Sequence, residues 1–128
     1  MAFLLDTHTL IWWWGRKPDL SAAAREAIES PDSTIFVSAA TTWEMATKVR
    51  SGRLPEMERR ITQYDEGVVE DGFLHLPVDW HHARRAGLLP GAHGDPFDRM
   101  IAAQALIEDL TVVSCDPKIA AFGCRTLW

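Results

Sequence analysis

The chain has 128 residues, of which 47% are hydrophobic and 24% are charged, a composition typical of one globular domain with a sizeable core. No apolar run reaches the roughly 18 residues that a membrane span requires, so we expect no association with a bilayer. The formal net charge of −5 argues against a nucleic-acid partner when it is taken alone, but cations bound by the acids would reverse that inference.

The amino terminus and the two cysteines predict a cytoplasmic protein. The start "MAFLLDTHTL" places an acid inside the first apolar stretch and lacks a basic region, so we expect no secretory signal. Cys115 and Cys124 do not form a CxxC pair, and each lies in or next to an apolar run. We therefore expect buried free thiols rather than a disulfide, as is usual in a reducing compartment.

Apolar runs alternate with helical patterns through the first half of the chain. "AFLLD" predicts a buried strand that ends at Asp6, and "THTLIWWWGRKP" predicts a short helix after it. "SAAAREAIES" predicts a helix with Ser21 as its N-cap, and "STIFVS" predicts the second strand. "AATTWEMATKVRSG" is helical, with Ser38 and Thr41 both available as its N-cap.

The same alternation continues through the second half. Residues 56–70 suit one further helix, "GFLHLPV" predicts a third strand, and "DWHHARRAGLLPG" predicts a short helix with Asp79 as its cap. "DPFDRMIAAQALIEDL" is the strongest helical pattern, "TVVSCD" a fourth strand and "CRTLW" a fifth. The order predicts a single α/β domain over residues 1–128, with a mostly parallel five-stranded sheet covered by helices on both sides.

Acids far apart in the sequence are predicted to meet at one edge of this sheet, beyond the carboxyl ends of the strands, where such sheets bind ligands. Asp6 and Asp116 directly follow the first and fourth strands. The helices that carry Glu44 and Asp98 must begin at the same edge. Carboxylates about 4 Å apart repel by about 4 kcal/mol at an effective dielectric near 20, so the group needs cations. Magnesium suits oxygen ligands, and the histidines and cysteines lack zinc spacing, so the pattern predicts metal-assisted phosphoryl chemistry.

Each acid also has a purely structural interpretation. Asp95 and Asp116 each precede a proline and suit the N-cap of a helix. Asp98 would then be the third residue of its helix, a capping-box position, and Glu44 ends a possible capping box in "TTWE". Asp6 could cap the helix that follows its strand. Taken singly, these acids do not decide between capping and chemistry.

Four segments resemble, in order and spacing, the motifs of PIN-domain nucleases, and in particular of VapC-type ribonuclease toxins: "FLLDTHTLIWW", "VSAATTWEMATK", "DPFDRMIAAQA" and "VVSCDPKIAAFG". The resemblance implies a three-layer α/β/α fold with a central parallel sheet. It implies Mg²⁺- or Mn²⁺-dependent hydrolysis of RNA that leaves a 5′ phosphate. It also implies homodimers and a small VapB-like antitoxin that docks over the acidic pocket.

By position in these motifs, the resemblance assigns the catalytic and metal-holding acids to Asp6, Glu44, Asp98 and Asp116, with Asp116 the least essential. Ser114 matches a small hydroxyl residue two positions before the last acid, and Asp95 belongs to the "DPFDR" variant as a cap or an outer-shell contact. Thr7 and Arg99 are further candidates for outer-shell or substrate contacts. A solvated surface arginine is the alternative for Arg99.

Two surface features bear on partners. Cations for the phosphate backbone are available at Lys48, Arg50, Arg53, Arg84 and Arg85, although such residues are more often a plain solvated face. Trp12, Trp13 and Trp14 are consecutive, and helical side chains point about 100° apart, so the three indoles cannot share one core. We predict that at least one is partly exposed and touches a partner chain.

The main rival is a non-catalytic acidic module that binds metal and a protein partner. A receiver-like domain also gathers acids around magnesium, but it needs an acidic pair near the first strand, where Thr7 follows Asp6. A haloacid-type phosphatase would need an aspartate where His8 stands. A degenerate PIN module without catalysis is the remaining alternative.

Overall fold

The computed structural model describes residues 1–128 and contains one five-stranded sheet in which all neighbouring strands are parallel. The strands are Ala2–Leu5 (β1), Thr34–Ser38 (β2), Leu74–Leu76 (β3), Thr111–Val113 (β4) and Thr126–Leu127 (β5). Their order in the sheet is β3-β2-β1-β4-β5. Every predicted strand is confirmed, and the sheet is parallel throughout.

Eight α-helices cover the two faces of the sheet. They are Thr7–Trp14 (α1), Ala22–Glu29 (α2), Ala39–Arg50 (α3), Glu58–Thr62 (α4), Tyr64–Glu70 (α5), Trp80–Leu88 (α6), Pro96–Glu108 (α7) and Pro117–Ala120 (α8). Successive strand side chains point to opposite faces, so Phe3 and Leu5 join one core cluster and Leu4 joins the other. The first cluster draws on α1, α2, α3 and α5, and the second on α6, α7 and α8, which gives the predicted α/β/α layers.

The helices α2, α3 and α6 begin at side chains that the sequence marks as caps. The Ser21 hydroxyl accepts the N–H of Ala24 at 3.0 Å, and Asp79 accepts two N–H groups at the start of α6. Ser38, and not Thr41, caps α3, because its hydroxyl accepts the N–H of Ala40 at 3.0 Å. Glu44 is therefore in the interior of α3, where capping does not explain it.

The prediction of one helix over residues 56–70 is wrong. A 3₁₀ turn at Pro55–Met57 leads into α4, and Gln63, at φ −113° and ψ 39°, separates α4 from α5. No residue of α4 is buried, whereas α5 buries Tyr64 and Val68 in the core. The break lets α5 turn its apolar face to the sheet, a tertiary requirement that local helical pattern does not reveal.

Two smaller expectations also need correction. The predicted elements include no helix between the fourth and fifth strands, although Asp116 is a possible cap there; the short helix α8 begins at that cap. Both cysteines are free as expected, but only Cys124 is buried, because Cys115 lies in the exposed segment that follows β4. None of the helices combines the length and the apolar character that crossing a bilayer requires.

The strand order fixes where a ligand can bind. The order reverses between β1 and β4, and parallel sheets bind ligands in the crevice outside the carboxyl ends of the strands at such a point. A receiver domain has the order 2-1-3-4-5, so this sheet contradicts the receiver-like alternative. Asp6 and Ser114 directly follow β1 and β4 and therefore lie at the reversal.

Candidate active site

Asp6 is a buried carboxylate held between two strand ends and a helix. Its Oδ2 accepts a hydrogen bond from the Ser114 hydroxyl at 2.7 Å, and its Oδ1 accepts the backbone N–H of Thr7 at 2.8 Å. Its own backbone N–H donates to the carbonyl of Val113 at 3.2 Å. Asp6 thus caps α1 and also directs its carboxylate at the reversal point, so the two interpretations of this acid are compatible.

The surroundings of Asp6 disfavour its ionised form. Burial raises the pKa of Asp6 from 3.8 to about 6, against the hydrogen bond from Ser114, which lowers it. The negative charge of Asp98 raises this pKa further. Burial likewise raises the pKa of Asp98, the hydrogen bond from His93 lowers it, and the charge of Glu44 is among the causes that raise it. Asp98 therefore lies within electrostatic reach of both Asp6 and Glu44, and the three acids come from separate elements.

Glu44 and Asp98 each have a partner that offsets part of their charge. Lys48, one turn further along α3, places its Nζ 2.6 Å from Oε2 of the buried Glu44. The imidazole of His93 places Nε2 2.7 Å from Oδ2 of Asp98. The contact with His93 offsets the charge of Asp98 only in part, since burial and neighbouring acids keep the pKa of Asp98 raised.

The acids do not form a ready-made coordination cage. No set of three or more His, Cys, Asp or Glu side chains is positioned so that it could hold a metal ion. The larger cavities also lie elsewhere; one of about 720 Å³ is lined by residues that include Asp79, Arg84 and Glu108. Magnesium keeps several waters and commonly takes only one or two carboxylates, so a preformed cage is not required. Hard oxygen donors carrying uncompensated negative charge fit such a cation.

Asp95 and Asp98 have different roles. Oδ1 of Asp95 accepts the N–H groups of Phe97 and Asp98 at 2.9 and 3.0 Å, which confirms Asp95 as the N-cap of α7. Asp98 makes no such contact and instead meets His93. The cap fixes the first turn of α7 and so places Asp98 near Asp6 and Glu44.

Asp116 makes no direct contact with the other three acids. Its Oδ1 accepts the N–H of Lys118 at 2.9 Å, so it caps α8, and its own N–H donates to the Ser114 hydroxyl at 3.1 Å. Its charge raises the pKa of Cys115, for which burial is the largest cause. The structure thus links Asp116 to Asp6 through Ser114 rather than through direct contact.

Thr7 is buried and supports the site from below. Its buried hydroxyl lies 3.0 Å from that of Thr41, which joins the first turns of α1 and α3. The hydroxyl braces the two helices, and the N–H bond of Thr7 to Asp6 agrees with the outer-shell alternative; contact of Thr7 with substrate stays a prediction. Thr41 was considered only as a cap, and nothing local to it indicates this pairing.

Arg99 is not a plain solvated arginine, because its guanidinium is bound by backbone carbonyls; its contact with substrate stays a prediction. Its guanidinium donates to four backbone carbonyls of the preceding segment: Ala86 and His93 at 2.9 Å, Gly87 at 3.4 Å, and Leu89. It also lies 5.4 Å from the ring centroid of Phe122. The planar donor fork suits such a set of carbonyls, and it fixes the segment that carries His93. Sequence reasoning missed His93, although a histidine between glycine-containing turns just before a helix is a visible signal.

The basic residues proposed for phosphate contact are used unevenly. Lys48 pairs with Glu44, Arg53 donates to the Ser51 hydroxyl at 3.0 Å, and Arg84 lies 5.1 Å from the ring centroid of Trp80. Arg50 is exposed on α3.

The three consecutive tryptophans divide as predicted. Trp14 is buried, whereas Trp12 and Trp13 are partly exposed. The ring of Trp12 packs on Trp128 at 5.6 Å, and Nε1 of Trp13 donates to Asp71 at 3.1 Å. Contact of an indole with a partner chain stays a prediction.

The chain is similar to known proteins over most of its length. The family model for the PIN domain matches residues 3–123. Ribonuclease VapC22 of Mycobacterium tuberculosis is 27% identical over 127 residues, covering 91% of this chain and 88% of that protein. The crystal structure of VapBC2 from Rickettsia felis, bound to a DNA fragment from their promoter, superposes with a TM-score of 0.74 at 17% identity, over 99% of this chain and 98% of that one. FitAcB from Neisseria gonorrhoeae superposes with a TM-score of 0.67 at 20% identity, over 98% and 96% of the two chains.

Proposed function

The chain belongs to the PIN-domain family, and we propose that it is a divalent-metal-dependent endoribonuclease that hydrolyses RNA phosphodiester bonds. One observation carries the proposal: Asp6, Glu44 and Asp98 come from three elements towards the reversal point of the sheet, where the charge of Asp98 acts on Asp6 and the charge of Glu44 acts on Asp98. Charged groups gathered at a cost to stability are typical of functional sites. The similarity to a ribonuclease over most of both chains supports the same activity.

Asp6, Glu44 and Asp98 would hold the cation, with Asp116 at the margin of the site. The chemistry supplied by bound Mg²⁺ or Mn²⁺ is neutralisation of charge at the scissile phosphate and activation of a water. Oxygen ligands from carboxylates suit both ions. No nucleophilic side chain is required for this reaction.

The protein's own residues orient the acids. Ser114 and the N–H of Thr7 fix both oxygens of Asp6, and the hydrogen bond from Ser114 favours its ionised form. Nε2 of His93 is hydrogen-bonded to Oδ2 of Asp98, and Arg99 donates to the backbone carbonyl of His93 and so fixes that residue. Lys48, on a flexible stem, can turn from Glu44 to a phosphate oxygen of the substrate.

We further propose that the chain acts as the toxin of a type II toxin–antitoxin pair, as a homodimer in the cytoplasm. A small VapB-like antitoxin would cover the acids, and residues 1–128 would form one PIN-like domain. Solved VapBC and FitAB complexes with the same fold support a partner of this kind. The partly exposed Trp12 and Trp13 are candidates for the contact with a partner chain.

Cleavage of total bacterial RNA tests the nuclease assignment. Wild type should release products with 5′ phosphates in Mg²⁺ or Mn²⁺ and none in EDTA, and Asp6→Ala and Asp98→Ala should lose nearly all activity. Glu29→Gln, which changes an exposed acid on α2, is the matched control and should cleave like wild type. Equal cleavage by all four proteins would overturn the site. A wild type that binds metal without cleaving RNA would favour the degenerate, partner-binding module.

A further inference from the structure

An aromatic pair lies beside the acids, on the two helices that carry Glu44 and Asp98. Trp43 directly precedes Glu44 on α3, and Phe97 directly precedes Asp98 on α7. Their ring centroids are 4.8 Å apart with an interplanar angle of 73°. The pair therefore joins α3 to α7 at the rim of the candidate site.

Trp43 is exposed far more than packing explains. Its relative exposure is 63%, and it shares the solvent-facing side of α3 with Ala46, whereas Thr41, Glu44 and Met45 are buried on the opposite side. An edge-to-face contact occupies only part of an indole, so most of the Trp43 ring stays open to solvent. Such an open ring face, next to acids suited to phosphate chemistry, is a surface on which a nucleic-acid base can stack.

Arg50 provides a cation on the same face of α3. It follows Trp43 by seven residues, which is two helical turns or about 10 Å along the axis. Ala46, which lies between Trp43 and Arg50 on this face of α3, is exposed and too small to block a ligand that contacts both residues. The ion pairs of the protein involve other cations, so the exposed Arg50 guanidinium is available to an anion.

We propose that Trp43, supported by Phe97, stacks on an unpaired base of the RNA beside the scissile phosphate, while Arg50 holds a neighbouring phosphate. Aromatic rings bind unpaired bases of any sequence through their faces, and arginine contacts the backbone. Bases inside an A-form duplex are stacked on each other and cannot reach the indole. The proposal rests on the nuclease function proposed above and assigns Trp43 as a positioning residue.

Binding measurements separate the base from the phosphate. All proteins carry Asp6→Asn so that the probe stays intact, and affinity is measured by fluorescence anisotropy. The probes are a labelled mixed-sequence RNA of about 12 nucleotides, an abasic oligomer of equal length and charge, and an RNA duplex. The variants are Trp43→Ala, Trp43→Phe and Arg50→Gln.

Trp80→Ala is the matched control. Trp80 has the same relative exposure of 63% as Trp43 and lies at the start of α6. His82, in the same turn of α6 as Trp80, contacts Glu108 at 2.9 Å. Glu108 is the last residue of α7 and lies about 15 Å along that helix from Asp98, so Trp80 is far from the candidate site. Loss of this indole should leave the affinity for every probe unchanged.

Trp43→Ala should weaken binding of the single-stranded RNA about tenfold, and Trp43→Phe should weaken it less than about threefold. Neither should change the affinity for the abasic oligomer. Arg50→Gln should weaken the single-stranded and abasic probes equally and reduce the slope of log affinity against log salt by about one. The protein that retains Trp43 should bind the single-stranded RNA with higher affinity than the RNA duplex.

Two results would overturn the proposal. The first is an unchanged affinity of Trp43→Ala for the single-stranded RNA, which would indicate that the indole contacts a protein segment instead. The second is an equal loss of affinity for the RNA and for the abasic oligomer in Trp43→Ala. RNA cleavage by the unsubstituted protein reports separately on the nuclease function. A chain that cleaves RNA but shows no Trp43 effect loses this proposal alone. A chain that neither binds nor cleaves RNA loses both.

Discussion

The hydroxyl of Ser114 lies 2.7 Å from Oδ2 of Asp6, and this contact joins the carboxyl ends of β4 and β1 at the point where the strand order reverses. Burial opposes ionisation of Asp6, and Ser114 is the strongest influence in the other direction. A single hydroxyl thus helps to keep ionised the acid that we place at the centre of the site.

Ser114→Ala should raise the pKa of Asp6 further and move the pH–rate profile of RNA cleavage to higher pH, because Asp6 must be ionised to hold a cation. Activity near neutral pH should fall about tenfold, as is usual when a residue that orients a metal ligand is removed. Thr9→Val is the control, since the Thr9 hydroxyl is buried nearby but donates to the carbonyl of Val113 at 2.6 Å. Equal pH profiles in Ser114→Ala and wild type would contradict this role.

Asp6→Asn should stabilise the protein at neutral and alkaline pH. The folded state retains a proton on Asp6 between pH 3.8 and about 6 that the unfolded chain gives up, so the free energy of unfolding falls as pH rises through this window. The shift of about two units corresponds to a cost of up to about 3 kcal/mol above pH 6, which Asp6→Asn removes.

Urea denaturation at pH 4 and pH 8 checks this expectation. The advantage of Asp6→Asn should be present at pH 8 and nearly absent at the lower pH, and added Mn²⁺ should stabilise wild type but not the variant. Glu29→Gln, an exposed acid on α2, should differ little from wild type at either pH. A variant less stable than wild type at pH 8 would refute the electrostatic cost.

Asp95→Ala should cost about 1 kcal/mol of stability as a lost N-cap, and cleavage should fall only modestly. Asp95→Asn should restore most of this stability because its amide oxygen can accept the same N–H groups. Thermal unfolding measured alongside cleavage separates the two effects. Complete loss of cleavage in a stably folded Asp95→Ala protein would place Asp95 among the catalytic acids.

Arg99→Ala should destabilise the protein by about 2 kcal/mol or more, since several buried or half-buried carbonyls lose a charged donor. Arg99→Lys should not rescue it, because one ammonium cannot replace the planar fork. Hydrogen exchange should speed up in residues 86–94. Arg125→Ala, which removes an exposed pair with Asp109, should cost less than about 1 kcal/mol; equal losses in the two alanine variants would argue against the bracing role.

The features that the sequence predicts well are local. Ser38 and Asp95 bond to N–H groups two or three residues away, so their sequence neighbourhood determines the cap. Strand ends follow from apolar runs, and parallel pairing then brings Asp6 to the same edge as Glu44 and Asp98. The position of the site could therefore be inferred from the alternation of elements.

The features that it predicts poorly depend on tertiary contacts. The carbonyls that Arg99 binds are 6 to 13 residues away in an irregular segment, and the partner of Thr7 is 34 residues away. The break at Gln63 follows from what α5 buries, while the local pattern is helical throughout. Asp116 shows a further limit. Its role as the cap of α8 is local and could be predicted, whereas its lack of direct contact with the other acids could not.

Uptake of Mn²⁺, followed by the loss of its free-ion electron paramagnetic resonance signal, tests most directly the claim that acids from separate elements form one metal centre. Wild type and Asp95→Asn should take up Mn²⁺ with similar affinity, whereas Asp6→Asn, Glu44→Gln and Asp98→Asn should each weaken uptake about tenfold or more. Equal uptake by Asp98→Asn and Asp95→Asn, which change acids three residues apart, would contradict the account.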